Sequence, residues 1–265
     1  MFYLTTNIAA LIIYLSAAGY LLTLLVKYQS LQQQWLFFLL SCATVLHGIG
    51  IYYQVVTPIG VDLTIVKAIS LVIFSINSIV LISSLRKPLH SLFILLLPLS
   101  VIGVTLATFF HQHSSLIAPL NFGIGAHVIL SIIAYSILAI TSLQALLLYW
   151  QHNRLKKRQL TEIIKHLPPL QTMETLMFEL LLVGVILLSG SVLLGALYID
   201  DMFAQHLAHK TILSIIAWTI FSLLLWGRYQ WGWRGNKAIH WTLSGYCILM
   251  LAYFGSKLVL EVILA

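Results

Sequence analysis

Charge is what this sequence has least of. Asp, Glu, Lys and Arg make up only 8% of its 265 residues, against 60% hydrophobic residues, and the mean hydropathy is +1.00. A soluble domain carries about 25% charged residues, so no water-facing surface can be built from this inventory. Soluble enzymes, nucleic-acid modules and disordered proteins are excluded together. Cysteine is scarce as well: Cys42 and Cys247 both lie inside apolar stretches, with no CxxC pair and no CxxCH haem-attachment site. That excludes a redox dithiol motif and a c-type cytochrome. There is no HExxH, no P-loop, no dinucleotide fingerprint, and no spacing that ties Ser, His and Asp into a triad.

What fills the chain is long apolar runs. A helix needs about 20 apolar residues to cross the hydrocarbon core of a bilayer, and eight runs qualify: about 5–26, 35–56, 63–85, 89–110, 122–150, 174–198, 207–228 and 237–262. Backbone polar groups in lipid must be satisfied within the segment, so the expected fold is an all-α polytopic bundle of eight transmembrane helices, one domain over residues 1–265. Short connections join the runs, the longest being the basic stretch from Gln151 to Thr172. The first run has no basic residue before it and no clear small-residue cleavage site, so it reads as a span and not as a removable signal.

The net charge of +7 sets topology. Eleven of the 14 basic residues fall in odd-numbered loops: Lys27; Arg86 and Lys87; Arg154, Lys156, Lys157, Arg158 and Lys165; Arg228, Arg234 and Lys237. The other three, Lys67, Lys210 and Lys257, sit just inside the opposite ends of spans, where their stems can snorkel outward. Asp62, Asp200 and Asp201 share that side. By the positive-inside rule the odd loops face the cytoplasm and both termini are periplasmic, as expected of a multi-pass protein of the bacterial inner membrane. Membrane lipid is then the obligatory partner, and the basic charge calls for no nucleic acid.

Topology places the ten histidines by depth. His90, His152, His166 and His240 belong to the basic edge, where solvated or headgroup-facing imidazoles need no further role. Six lie on the outer half: His111 and His113, His127 one turn into span five, His206 and His209 at the start of span seven, and His47 in span two. His47 is some 12 residues past Trp35, about 18 Å of helical rise from the inner end, and an ionisable group at that depth is a functional hypothesis by default. Each histidine alone has a plainer reading as an interhelical hydrogen-bonding group. Together they form a pool of neutral imidazoles, the commonest metal ligand, and facing helices can present two of them to a haem iron. A divalent-metal transporter or sensor built on His206, His209 and Asp200 is the rival. Glu174 and Glu179 read as interfacial or paired with bases of the fifth loop, and Glu261 as a local partner of Lys257.

The residues also carry a resemblance. HVILSIIAY, from His127 to Tyr135, is similar to the His-Val…Tyr helix of the CcsA-type haem-handling membrane proteins of cytochrome c assembly. LPPLQTMETLMF with LLSGSVLLGAL resembles the approach to that family's outer haem loop, and KTILSIIAW the helix leaving it. GWRGNKAIHWTLSGY with YFGSK resembles its last cytoplasmic turn and last helix, and VLHGIG, with His47, an early histidine-bearing span. The chain most resembles the family's smaller YpjD and HemX-like branch. The resemblance implies haem b as cofactor, with His127 and His47 as ligands. His206 and His209 are substitutes that the residues suggest and the family does not.

The departures are as informative. The outer loop reads YIDDMFAQHLAHK, without the tryptophans of the family's haem platform, and Leu207 and Ala208 stand where a Trp-Asp pair would fall. A second outer histidine beyond the last helix has no counterpart, and every arginine is on the basic side. These losses argue against a haem-lyase activity. They keep open a scaffold or regulatory subunit that retains the fold without the cofactor. Such a subunit would dock partner proteins at the outer loop Tyr198–Lys210 or the basic loop Gln151–Thr172.

Overall fold

The computed structural model describes residues 2–26, 33–57, 60–110, 117–118, 122–158, 167–198 and 205–255. Eight helices in it are long and apolar enough to span a membrane: α1 (Phe2–Val26), α2 (Gln33–Val55), α3 (Ile65–Ser84), α4 (Phe93–Phe109), α5 (Phe122–Lys156), α6 (Leu170–Tyr198), α7 (Gln205–Trp231) and α8 (Asn236–Met250, continued as a π-turn to Gly255). All eight expected spans are therefore present. At 1.5 Å per residue the 25 residues of α1 rise about 37 Å, enough for the roughly 30 Å hydrocarbon layer. The 35-residue α5 overshoots it and carries Arg154 and Lys156 in its last turn. Pro168 and Pro169 stop any earlier helix, and α6 starts directly after them.

The chain divides into two compact units, Met1–Pro119 with Leu160–Pro168, and Leu120–Gln159 with Pro169–Ala265. In the first, α1 packs on α2, α2 on α3, α3 on α4 and α4 back on α1. In the second, α5 packs on α6, α6 on α7, α7 on α8 and α8 on α5. Each unit is thus a ring of four helices in chain order.

Sequence spacing explains the packed faces. On α1 the buried positions Asn7, Ala10, Tyr14, Ala17, Leu21 and Leu24 recur at intervals of three and four, the helical repeat that keeps one stripe inward. Small residues let backbones approach. A Cβ on Gly184 of α6 would lie 2.6 Å from Leu138 of α5, and one on Gly245 of α8 would lie 2.7 Å from Phe221 of α7. Large apolar residues such as Leu22, Ile82 and Ile186 stay exposed, as lipid-facing positions do.

A feature not foreseen from the apolar runs joins the α2–α3 connection to the segment after α4. Strands β1 (Val56–Thr57), β2 (Gly60–Asp62) and β3 (Ile117–Ala118) form a small antiparallel sheet in that order, pairing Val56 with Val61 and Asp62 with Ile117. Asp62 accepts from the Thr64 backbone N–H at 3.2 Å and from Lys67 Nζ at 2.5 Å. Lys67, expected to snorkel, is held by this ion pair at the start of α3.

Candidate functional site

The first unit encloses a polar core to which all four helices contribute. Asn77 of α3, 2% exposed, donates one amide hydrogen to Tyr14 Oη of α1 at 3.2 Å and the other to Ser100 Oγ of α4 at 2.7 Å. Ser100 in turn donates to the Leu96 carbonyl at 2.8 Å, and Tyr14 Oη shares a 3.3 Å bond with Thr44 Oγ1 of α2. His47 lies against this network. Its Nε2 is 2.9 Å from Ser70 Oγ, and its ring makes edge contacts with Tyr14 and Phe74, each at 6.0 Å between centroids. The imidazole is 0% exposed, and Nδ1 is buried without a partner. In this arrangement His47 is a packed, hydrogen-bonded group, and neither ring nitrogen faces open space.

The second unit places His127 differently. The residue is half-buried on α5, one turn in from Gly123, over which the Tyr198 ring of α6 is packed (a Cβ there would lie 2.3 Å from that ring). His127 Nδ1 is 2.8 Å from the Ser191 carbonyl oxygen of α6. A carbonyl only accepts, so Nδ1 carries the proton. Nε2 is left with its lone pair and has no hydrogen-bond partner among the described residues. The neighbouring hydroxyls stiffen the same contact. Ser131 Oγ donates to the His127 carbonyl at 2.7 Å and lies 2.6 Å from Ser191 Oγ. Because Ser131 has spent its only hydrogen, Ser191 is the donor between them. A backbone acceptor on Nδ1 with a free Nε2 is the usual arrangement of a metal-ligating histidine, since the acceptor fixes both tautomer and ring orientation.

His209 is exposed in the first turns of α7. His206 lies in α7, but its side chain falls outside the described residues, as do His111, His113, Asp200, Asp201, Lys257 and Glu261. Among the described residues no three His, Cys, Asp or Glu side chains come together as a metal site would require. His47 belongs to the first unit, and His127 and His209 to the second. His240 Nδ1 bonds the Asn236 carbonyl of its own helix at 2.6 Å, an exposed contact at the basic end.

Other polar links hold the second unit. Tyr135 Oη donates to the Leu249 carbonyl at 3.0 Å, tying α5 to α8, and Trp218 Nε1 donates to Ser189 Oγ at 2.7 Å, tying α7 to α6. Glu174 pairs with Arg228 at 3.1 Å and Arg234 at 3.8 Å. Glu174, read as interfacial or as a partner of fifth-loop bases, is here paired with two bases of the seventh connection, because α6 and α7 are neighbours in the ring. Sequence reading missed Ser131, Ser191, Asn77 and Ser100. Their only signal was that they are hydroxyl or amide groups inside apolar runs, a property shared with many residues that bond only their own helix.

The chain matches the cytochrome C assembly protein family over residues 5–264. It is 32% identical over 223 residues to the inner membrane protein YpjD of Escherichia coli strain K12, covering 83% of this chain and 84% of that protein. It is 25% identical over 131 residues to protein HemX of Brevibacillus brevis, covering 49% of this chain and 48% of HemX. With the cytochrome c biogenesis protein CcsA of Oryza sativa it shares 25% identity over 91 residues, 34% of this chain and 28% of that one. No solved structure matches it.

Proposed function

The chain belongs to the cytochrome c assembly protein family and is a multi-pass inner-membrane protein, and from that premise we propose that it binds haem b through His127. The observation that carries the reading is the Nδ1 hydrogen bond to the Ser191 carbonyl, which presents Nε2 as a fixed lone pair at the outer end of α5. The donor chemistry fits one imidazole that would hold the iron. His209 and His206, in the same unit as His127, are the candidates for the second ligand, and His47 is a separate candidate in the first unit. To meet an iron at all, His47 would have to release Ser70 and open its enclosure. When bound, haem supplies a redox-active iron that can be carried, sensed or passed on. The protein's own part is to set the imidazole's tautomer, hold its plane with Ser131 and Ser191, and keep Nε2 free of competing donors. We further propose that the basic odd-numbered loops are cytoplasmic and both termini periplasmic.

The test is an absorption spectrum of the detergent-purified protein, oxidised and then dithionite-reduced, with pyridine haemochrome quantification. A Soret band with sharp reduced α and β bands is expected in the wild type and in His240→Ala, and is expected to disappear in His127→Ala. His240 is an apt control because its Nδ1 also bonds a backbone carbonyl, but at the opposite end of the spans. Equal haem content in the two variants would sink the assignment.

A second reading retains family and fold without the cofactor. It is favoured by the outer tract 199–210, which has no tryptophan for porphyrin stacking, and by the restriction of every arginine to the basic loops. A colourless protein that also fails to take up added haem would establish it over the first.

A further inference from the structure

Four of the chain's seven tryptophans lie between positions 226 and 241, and the turn between α7 and α8 gathers them. Ring centroids are 5.4 Å apart for Trp226 and Trp231, 5.5 Å for Trp231 and Trp233, and 5.1 Å for Trp233 and Trp241. Trp231 and Trp233 are stacked, with 28° between their planes. Glycine makes this possible in two ways. Gly232 and Gly235 take φ of +63° and +60°, a region open to glycine at little cost. Gly227 leaves room for Trp233, whose ring would meet a Cβ there at 2.5 Å.

The charges around the cluster do not cancel. Glu174 is the acid beside it, held by Arg228, which also donates to the Trp233 carbonyl at 3.3 Å and lies 4.6 Å over the Phe178 ring. Arg234 is 3.8 Å from the same carboxylate, yet its side chain is 64% exposed. Lys237 Nζ stands 3.5 Å over the Trp233 ring, a contact that places the ammonium without using its hydrogen-bond donors. Three cations against one acid leave two positive charges on a short turn, with Lys237 placed over the Trp233 ring and the Arg234 side chain exposed. Trp226 and Trp231 are both more than half exposed, and indoles of this kind settle at the headgroup level of a bilayer. The phosphate layer is therefore the anion that Arg234 and Lys237 meet.

We propose that the α7–α8 turn is a binding site for the headgroup of an acidic phospholipid. Arg234 and Lys237 contact the phosphate, and the Trp231–Trp233 stack holds them at that depth. A plain aromatic belt would anchor the turn in any lipid; the adjacent pair of cations makes it select anionic ones. A basic residue at an anionic membrane surface is worth about fivefold in affinity, so the pair is worth about 30-fold.

The experiment uses the full chain, with Trp35, Trp150 and Trp218 changed to Phe, reconstituted in vesicles doped with brominated phosphatidylglycerol or brominated phosphatidylcholine at equal mole fraction. Quenching of the remaining indoles is expected to be stronger with the brominated anionic lipid. That preference is expected to vanish in Arg234→Gln/Lys237→Gln and to persist in Lys156→Gln/Lys157→Gln, which removes the same charge from exposed positions at the end of α5. Equal quenching by both lipids in the parent chain would overturn the proposal, and so would equal loss in the two double variants. Displacement by inorganic phosphate, beyond that caused by chloride at matched ionic strength, would assign the site to a free anion and overturn the lipid assignment.

Discussion

Asn77 offers a test of the polar core in which the smaller deletion should do the greater damage. Asn77→Leu removes two interhelical hydrogen bonds but leaves no partner stranded. Tyr14 Oη keeps its bond with Thr44, and Ser100 Oγ still donates to the Leu96 carbonyl. Hydrogen bonds between transmembrane helices are worth about 0.6 kcal/mol on average and about 1.7 at most, so the two together come to about 1.2 kcal/mol. Tyr14→Phe deletes one oxygen, yet leaves an Asn77 N–H buried and unpaired. An orphaned buried donor costs about 1–3 kcal/mol beyond the lost bond, so Tyr14→Phe should be the more destabilising of the two. The double variant no longer strands an Asn77 N–H, leaving only the Thr44 hydroxyl that Tyr14→Phe already deprives of its partner, and should cost less than the sum of the singles. Stability would be read by titrating the purified chain from mild detergent into SDS, followed by circular dichroism. Additive losses, or a larger loss for Asn77→Leu, would refute the hydrogen-bond assignments.

Three further outcomes are expected. Ser191→Ala removes a side chain but not the carbonyl that fixes His127, so haem content and spectrum should stay within about twofold of wild type, whereas a spectrum as depleted as that of His127→Ala would show that the hydroxyl was the essential partner. Gly184→Val drives a branched side chain into Leu138 and should cost about 1–3 kcal/mol in the same SDS titration; Leu138→Ala on that background should recover part of the loss, and no recovery would place the clash elsewhere. A reporter active only after export, fused following Ala265, should be active, and a cytoplasmic signal would reverse the proposed orientation.

The eight spans were legible because a membrane imposes one dominant rule, long apolar runs with internally bonded backbones, and that rule is local in sequence. The faces of those helices were less so. His47 at mid-depth could be recognised as costly from composition alone, but its partners, Ser70 at 23 residues' distance and Tyr14 at 33, depend on which helices are neighbours. Glu174 shows the same limit. Its charge demanded a base, and the fifth loop, nearest in sequence, was the natural supplier; the ring order of the second unit brings Arg228 and Arg234 instead. The small sheet was invisible because its strands are two or three residues long, too short for any periodicity to register. The tryptophan cluster, by contrast, was in plain view at 226–241. Its stacking was not, because that depends on the turn at Gly232 and Gly235 and on the space that Gly227 leaves for Trp233.

His47 and His127 looked alike as intramembrane imidazoles, and their surroundings separate them. A histidine serving as a metal ligand needs one nitrogen committed to a fixed acceptor and the other facing unfilled space. His127 meets the first condition with a partner that mutation of a side chain cannot remove, and its half-buried position leaves room for the second. His47 inverts the pattern. Its Nε2 is engaged by a hydroxyl able to give or accept, its Nδ1 is sealed among side chains, and two aromatic rings close the flanks. A hydroxyl partner does not dictate the tautomer, so His47 keeps a choice of proton position that His127 has lost. If haem is bound, the two should therefore respond differently to replacement. His127→Ala is expected to abolish the spectrum outright. His47→Asn retains a polar group for Ser70 and is expected to preserve both the fold and the spectrum, so a haem loss as complete as that of His127→Ala would refute the reading of His47 as a packed, hydrogen-bonded group.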